Sequence, residues 1–174
     1  MTVHIREMRE DDWSQVSAIY KEGIETNLAT FQIDSPSYAD WDKEHISGGR
    51  FAALNDGEII GWAALSPVSS RCVYAGVAEV SVYIGNQFHG KGAGALLLTA
   101  LIDWSEKNGI WTLQSGIMQN NPASIRLREK CGFRMVGFRE KIGKDRFGVW
   151  RNTVLMKSEA KTLYSRVKRE LCIS

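Results

Sequence analysis

The chain has 174 residues, enough for one domain with a substantial core. Lys and Arg number 22 against 20 Asp and Glu, and a net charge of +2 is too small to argue for nucleic acid as a partner. The 44% hydrophobic and 24% charged content is ordinary for a globular protein, no apolar run approaches the roughly 18–20 residues of a membrane span, and the charged start MTVHIREMRE lacks the apolar segment of a signal peptide. Cys72, Cys131 and Cys172 have no CxxC spacing, and His4, His45 and His89 are scattered. Neither a disulfide framework nor a metal site is expected, and a reducing, cytoplasmic setting is.

TVHIREM alternates and predicts a first strand. EDDWSQVSAIYKEGIE follows, with acidic residues in its first turn and Trp13, Val16, Ile19 and Tyr20 at helical spacing. TNLATFQIDSPS is a polar loop in which Phe31 stands out, and Ser37 is placed to cap a second helix, YADWDKEHIS. RFAAL and EIIGWAAL are strands joined by NDGE, a hairpin signal because Asp-Gly tolerates positive φ. After the loop SPVSSRCVYAG comes the strand VAEVSVYI, then the glycine-rich QFHGKGAG, then the helix AGALLLTALIDWSEKNG. IWTLQSGI is a strand; NPASIRLREKCG is a helix with Asn121 as N-cap, Pro122 in the first turn and Gly132 at its end. FRMVGFREKIG and GVWRNTVLM predict a closing antiparallel pair, and SEAKTLYSRVKRELCIS a further helix with a basic run from Lys161 to Arg169. The order β-α-α-β-β-β-α-β-α-β-β describes one mixed α/β domain.

The segment Gln87–Gly94 has the physical make-up of an anion loop. Glycines let the backbone approach closely, and the exposed N–H groups and the helix start that follows favour a phosphate. A nucleoside-triphosphate loop needs Ser or Thr after Gly-Lys, and here Lys91 is followed by Gly92 and Ala93. A dinucleotide fingerprint needs an acid at the end of the next strand, and IWTLQSGI has none. A tight turn with glycines for packing is the plain alternative.

In VAEVSVYI the alternation sends Ala78, Val80, Val82 and Ile84 to one face, the expected core. Val77, Glu79, Ser81 and Tyr83 share the other. A carboxylate and a phenol thus share a face on a strand that leads into the anion loop. Glu79 reads either as a solvated or salt-bridged strand carboxylate or as a functional acid–base group.

Gln87-Phe88-His89-Gly90-Lys91-Gly92, followed by Ala93 and Gly94, resembles the Q/R-x-x-G-x-G/A motif of the GNAT N-acetyltransferase superfamily. NPASIRLREKCGF is similar to that family's second motif, N-x-x-A/S-x-x-L-x-x-x-x-G-F. YKEGIETNLATF, RCVYAGVAEVSVYI and VGFREKIGKDRFGVWRNTVLM resemble the phosphinothricin and methionine-sulfoximine acetyltransferase group, so the likeness covers residues 3–157.

The resemblance implies a single domain over 1–158 and a helical extension over 159–174. The domain would be a mixed sheet of about six to seven strands with about four flanking helices, its central strands splayed to hold the coenzyme. It implies acetyl-CoA as co-substrate, no metal, and an acceptor that is a small amine, an amino acid or its analogue. Gln87, Phe88, His89, Gly90, Lys91, Gly92, Ala93 and Gly94 would take the pyrophosphate, with His89 and Lys91 on its rim. Val80, Ser81 and Val82 would hold the thioester by their main chain, and Asn121 and Ser124 would flank the pantetheine arm. Glu79 matches the family's base for direct transfer to the amine, which leaves Cys72 and Cys131 without a catalytic role.

Arg71, Tyr74, Tyr83 and Phe31 match or neighbour the acceptor pocket of the resembled group, and Arg71 is the natural partner of an acceptor carboxylate. As surface charge and packing residues they have ordinary readings too. Arg128 stands where many relatives carry a tyrosine as general acid; it reads as a partner for the leaving thiolate or as a solvated helix residue, and the general acid is left unassigned. Arg151 stands where phosphinothricin acetyltransferases carry a histidine, which turns the expectation away from phosphinothricin itself. A protein N-terminal or lysine acetyltransferase and a non-catalytic acyl-CoA-binding domain are the alternatives. A homodimer, without nucleic acid or membrane, is the expected assembly.

Overall fold

The central strand Glu58–Pro67 is buried on both faces from Ile59 to Leu65, and the sheet is built so that helices cover both sides. The computed structural model of the protein describes residues 1–161. Its elements run β1 (Val3–Glu7), α1 (Trp13–Glu25), α2 (Tyr38–Glu44), β2 (Phe51–Asn55), β3 (Glu58–Pro67), β4 (Val77–Ile84), α3 (Ala93–Lys107), β5 (Thr112–Met118), α4 (Pro122–Lys130), β6 (Arg134–Lys144) and β7 (Trp150–Glu159). This is the order expected from the sequence, and the seven strands and four helices fall within the expected counts.

The seven strands form one sheet in the order β1-β2-β3-β4-β5-β7-β6. Every neighbouring pair is antiparallel except β4 and β5, which are parallel. That pair joins only at Val77–Thr112, Ala78–Leu113 and Glu79–Gln114. Beyond Glu79 the two strands part, which is the splay the resemblance implied.

Ala78 and Val80 face a core shared with Leu97, Leu98 and Leu101 of α3 and Leu113 and Ile117 of β5. Burying a leucine contributes about 1.5–3 kcal/mol, so these three residues fix α3 to its face of the sheet. The opposite face carries Trp62 and Ala64 of β3, covered by Val16, Ile19, Tyr20 and Ile24 of α1 and Trp41 of α2.

The Asp-Gly turn forms as predicted, with Asp56 at φ 49° and Gly57 at φ 86°. Ser37 caps α2 by accepting from Asp40 N–H at 3.2 Å. Three boundaries differ from expectation. Glu10–Asp12 form a separate 3-10 turn before α1. The second helix stops at Glu44 because His45 is extended and Ile46 N–H turns to the Leu65 carbonyl of β3, 2.8 Å away. At the C-terminus β7 runs to Glu159, one residue past the expected boundary, and Ala160 N–H donates to Trp111. The helix expected over 159–174 lies outside the described residues from 162 onward.

Candidate active site

The site is set by the point where β4 leaves β5. Glu79 is the last β4 residue paired there, and its carboxylate bridges the opening. Oε2 accepts from Gln114 Nε2 at 2.9 Å and Oε1 from Gly116 N–H at 2.6 Å. The Gly116 N–H, past the last β4–β5 pair, thus finds the side chain of Glu79 in place of a strand partner. Alternation puts Glu79, Gln114 and Gly116 on one face, opposite α3.

A cation reaches the same spot from two strands away. Arg139 of β6 pairs in register with Thr153 of β7, and its Nε donates to Thr153 Oγ1 at 3.1 Å. Its Nη2 lies over Gly116, where a Cβ would collide with it, and that same point is 3.5 Å from Glu79 Oε1. A side chain at Gly116 would displace the guanidinium from this position. Sequence reading missed Gln114, Gly116 and Arg139; the alternation of β5 carries the first two, but nothing local marks the third.

At the far end of β4 the expected anion loop has the expected backbone. Gly90 and Gly92 sit at φ 74° and 88°, with open space where a side chain would project. Among the described residues, no acceptor is found for the N–H groups of His89 through Gly94, the loop and the first turn of α3. Free donors, positive-φ glycines and a helix start fit a pyrophosphate. Lys91 Nζ lies 5.2 Å from the centre of the Phe88 ring, and His89 Nε2 folds back to 2.8 Å from the Ile84 carbonyl. Gly94 has a packing constraint besides: a Cβ there would meet Leu127 of α4 at 3.1 Å, so the missing side chain also lets α3 approach α4.

Helix α4 starts as predicted, with Asn121 Oδ1 accepting from Ser124 N–H at 3.1 Å. Asn121 Nδ2 also donates to the Leu28 carbonyl at 3.1 Å, tying the loop after α1 to this helix. Ser124 Oγ accepts from Arg128 Nη1 at 2.8 Å. Arg128 is not solvated: it is 4% exposed, and its Nε has no partner. Burial lowers its pKa to about 10, with the nearby Tyr83, Cys131 and Glu79 opposing that shift.

Tyr83 stacks on Trp62 at 4.8 Å between centroids and tilts against Tyr20 at 4.9 Å, a packed wall between β4 and α1. Burial pushes its phenol pKa up. Phe31 rests on Gly143 of β6, so the loop after α1 reaches the closing hairpin. Arg71 and Tyr74 are exposed in the β3–β4 loop, the guanidinium 5.6 Å from the ring centre.

Arg151 is committed to Asp145, its Nε 2.7 Å from Oδ2. Asp145 is buried and also accepts from Asn27 Nδ2, Phe147 N–H and Val149 N–H. Burial alone would raise its pKa, but these donors and Arg151 outweigh it and hold the carboxyl well below the usual range.

A carboxylate at the mouth of a strand gap, with a loop of unpaired N–H groups at the end of the same strand, has the form of a site where an acceptor meets a phosphate-bearing group donor. The chain belongs to the acetyltransferase (GNAT) family, whose model matches residues 5–133, and it is an N-acetyltransferase. It is 33% identical over 159 residues to phosphinothricin N-acetyltransferase of Alcaligenes faecalis, covering 87% of this chain and 80% of that one. It is 28% identical to L-methionine sulfoximine/L-methionine sulfone acetyltransferase of Pseudomonas paraeruginosa, covering 90% and 94%. The crystal structure of a GNAT phosphinothricin acetyltransferase from Sinorhizobium meliloti in complex with AcCoA superposes with a TM-score of 0.82 at 28% identity, covering 91% of this chain and 89% of that one.

Proposed function

We propose that the enzyme transfers the acetyl group of acetyl-CoA directly to the amine of a small amino acid or amino acid analogue, of the methionine sulfoximine, methionine sulfone or phosphinothricin type. The observation that carries this is Glu79 at the point where β4 and β5 part, on the strand that ends in the anion loop. Acetyl-CoA supplies an activated acetyl group. Its pyrophosphate fits the donors of Gln87–Gly94, and Asn121 and Ser124, at the start of α4, would flank the pantetheine arm. Past the last β4–β5 pair, β4 stays paired with β3 through Val80, Ser81 and Val82, but its β5-facing edge there has lost its strand partner, which supports a thioester along this stretch of main chain.

An ammonium has no lone pair, so Glu79 takes up the proton, directly or through water. The nitrogen then bonds to the acetyl carbon as the carbon–sulfur bond breaks. Arg128 is the electrostatic partner of the departing thiolate; support comes from its burial and its free Nε. Tyr83 and Phe31 wall and cover the acceptor, while Arg71 and Tyr74 lie on its rim. Arg151, which stands where phosphinothricin acetyltransferases carry a histidine, is held by Asp145, and the missing histidine turns the reading away from phosphinothricin itself.

We place this activity in the cytoplasm. No helix among the described residues is long and apolar enough to cross a membrane. A homodimer through β6 is supported by that edge strand's exposed Val136, Phe138 and Ile142. The activity is tested by following free-thiol release from acetyl-CoA with a panel of amino acids, their sulfone, sulfoximine and phosphinate analogues, and simple amines. Release above hydrolysis with small acids supports the reading. Release only with peptide N-termini, or none while coenzyme still binds, would replace it with a protein acetyltransferase or an acyl-CoA-binding domain.

A further inference from the structure

Arg139 is an unspent cation beside Glu79. Only its Nε is used, in the bond to Thr153, and it pairs with no carboxylate among the described residues. Its Nη2 occupies the space that Gly116 leaves open, on the same face as the Glu79 carboxylate. The two groups are close without forming an ion pair. In an α-amino acid, the amine nitrogen and the carboxylate oxygens lie about 3 Å apart, a spacing set by bond lengths. Such a molecule can give its amine to Glu79 and its acid to Arg139 at once. Phe31, packed on Gly143 of the same strand, covers this side.

We infer that Arg139 is the residue that binds the acceptor's carboxylate, so that Glu79 and Arg139 together select α-amino acids over simple amines and peptide N-termini. The inference rests on the N-acetyltransfer to small acids proposed above. A guanidinium suits the task because it offers two parallel donors to a planar carboxylate. Arg71 lies on an exposed loop over Tyr74 and would meet the acceptor on entry. A peptide N-terminus carries an amide where the free amino acid carries its acid, so it would leave Arg139 unmatched.

The test compares each α-amino acid with its amide in the parent protein, Arg139→Met, Arg139→Lys and Arg71→Met. Arg139→Met is expected to raise KM for the acid about 30- to 100-fold, the loss typical of a charge-assisted hydrogen bond, with kcat changed little. KM for the amide should hardly move, and Arg139→Lys should recover part of the loss. A parent that treats acid and amide alike overturns the inference. So does equal damage to both in Arg139→Met, which would mean that the guanidinium only steadies Glu79, or an acid preference that falls in Arg71→Met and survives in Arg139→Met. Where no acceptor turns over, the acetyltransfer reading fails by itself. The acid site is then read as a rise in Tm on adding α-amino acids with coenzyme A, present in the parent and absent in Arg139→Met; no rise in the parent overturns it.

Discussion

Glu79 holds Gly116 across a gap in the sheet: its Oε1 accepts the Gly116 N–H at 2.6 Å where no β4 carbonyl is in reach. A carboxylate fixed in this way is oriented before any acceptor arrives, as the base proposed for this enzyme would need to be. Glu79→Gln keeps an oxygen for one of the two β5 donors, so the strands should stay in place. The expected result is a fall in kcat of about 10²–10⁴-fold at neutral pH, the usual range for a general base, with coenzyme affinity nearly intact. Steady-state kinetics and titration calorimetry on the same preparation check it; a mutant that matches the parent's rate would remove Glu79 from the chemistry.

The three loop glycines should separate into two kinds. Gly92, at φ 88° with open space around it, faces the proposed pyrophosphate. Gly92→Trp should abolish coenzyme binding, and Gly92→Ala should cost about 1–2 kcal/mol from the left-handed backbone alone. Gly94 is pressed against Leu127. Gly94→Val should lower Tm through overpacking of about 1–3 kcal/mol while coenzyme affinity changes far less. Unchanged calorimetric heat in Gly92→Trp would refute the loop's role, and an equal loss of affinity in both positions would refute the division.

This division marks the limit of what the sequence shows. Alternation and turn chemistry gave the elements in order, because strands such as β4 turn one side to the α3 core and Asp56-Gly57 tolerates the positive φ angles of a tight hairpin. The same alternation placed Glu79 off the core face. Spacing could not say that Gly92 faces open space while Gly94 lies against Leu127 of a neighbouring helix, since the two read alike in the sequence. Arg139 stayed hidden because β6 is irregular between Arg139 and Gly143, which breaks the period that assigns a face. Arg128 sits in a helix dense with charge, where burial depends on an opening formed by two strands elsewhere in the chain.

Asp145 predicts an acid-sensitive hairpin. Its folded pKa is depressed below the ordinary 3.8, so the stability it contributes is fully present above that value and is lost as pH falls towards its folded value. Asp145→Asn should be less stable than the parent at neutral pH, since Arg151 and Asn27 lose their charged partner. It should also lose less stability between neutral and strongly acid pH. Thermal melts of both proteins across that range check the sign; parallel curves would mean that Asp145 is no better bound folded than unfolded. Because Asn27 belongs to the loop that carries Phe31, the same substitution should raise KM for the acceptor.

Arg128 carries the opposite sign. A guanidinium whose folded pKa is lowered to about 10 by burial is a cost to the fold below that pH, relieved as pH rises through it. With its Nε unpartnered, the fold gains little in return. Replacing a buried charge by an apolar residue of similar length is often neutral or stabilising. Arg128→Met should therefore melt at the same temperature as the parent or higher. If the charge serves the departing thiolate, kcat should fall about 10²-fold, the scale of losing one preorganised donor, with KM for the acceptor little changed. A thiol analogue that leaves more readily as an anion should narrow the gap between mutant and parent. A mutant that melts lower and turns over normally would make Arg128 a packing residue, and the positive charge would then have no part in the reaction.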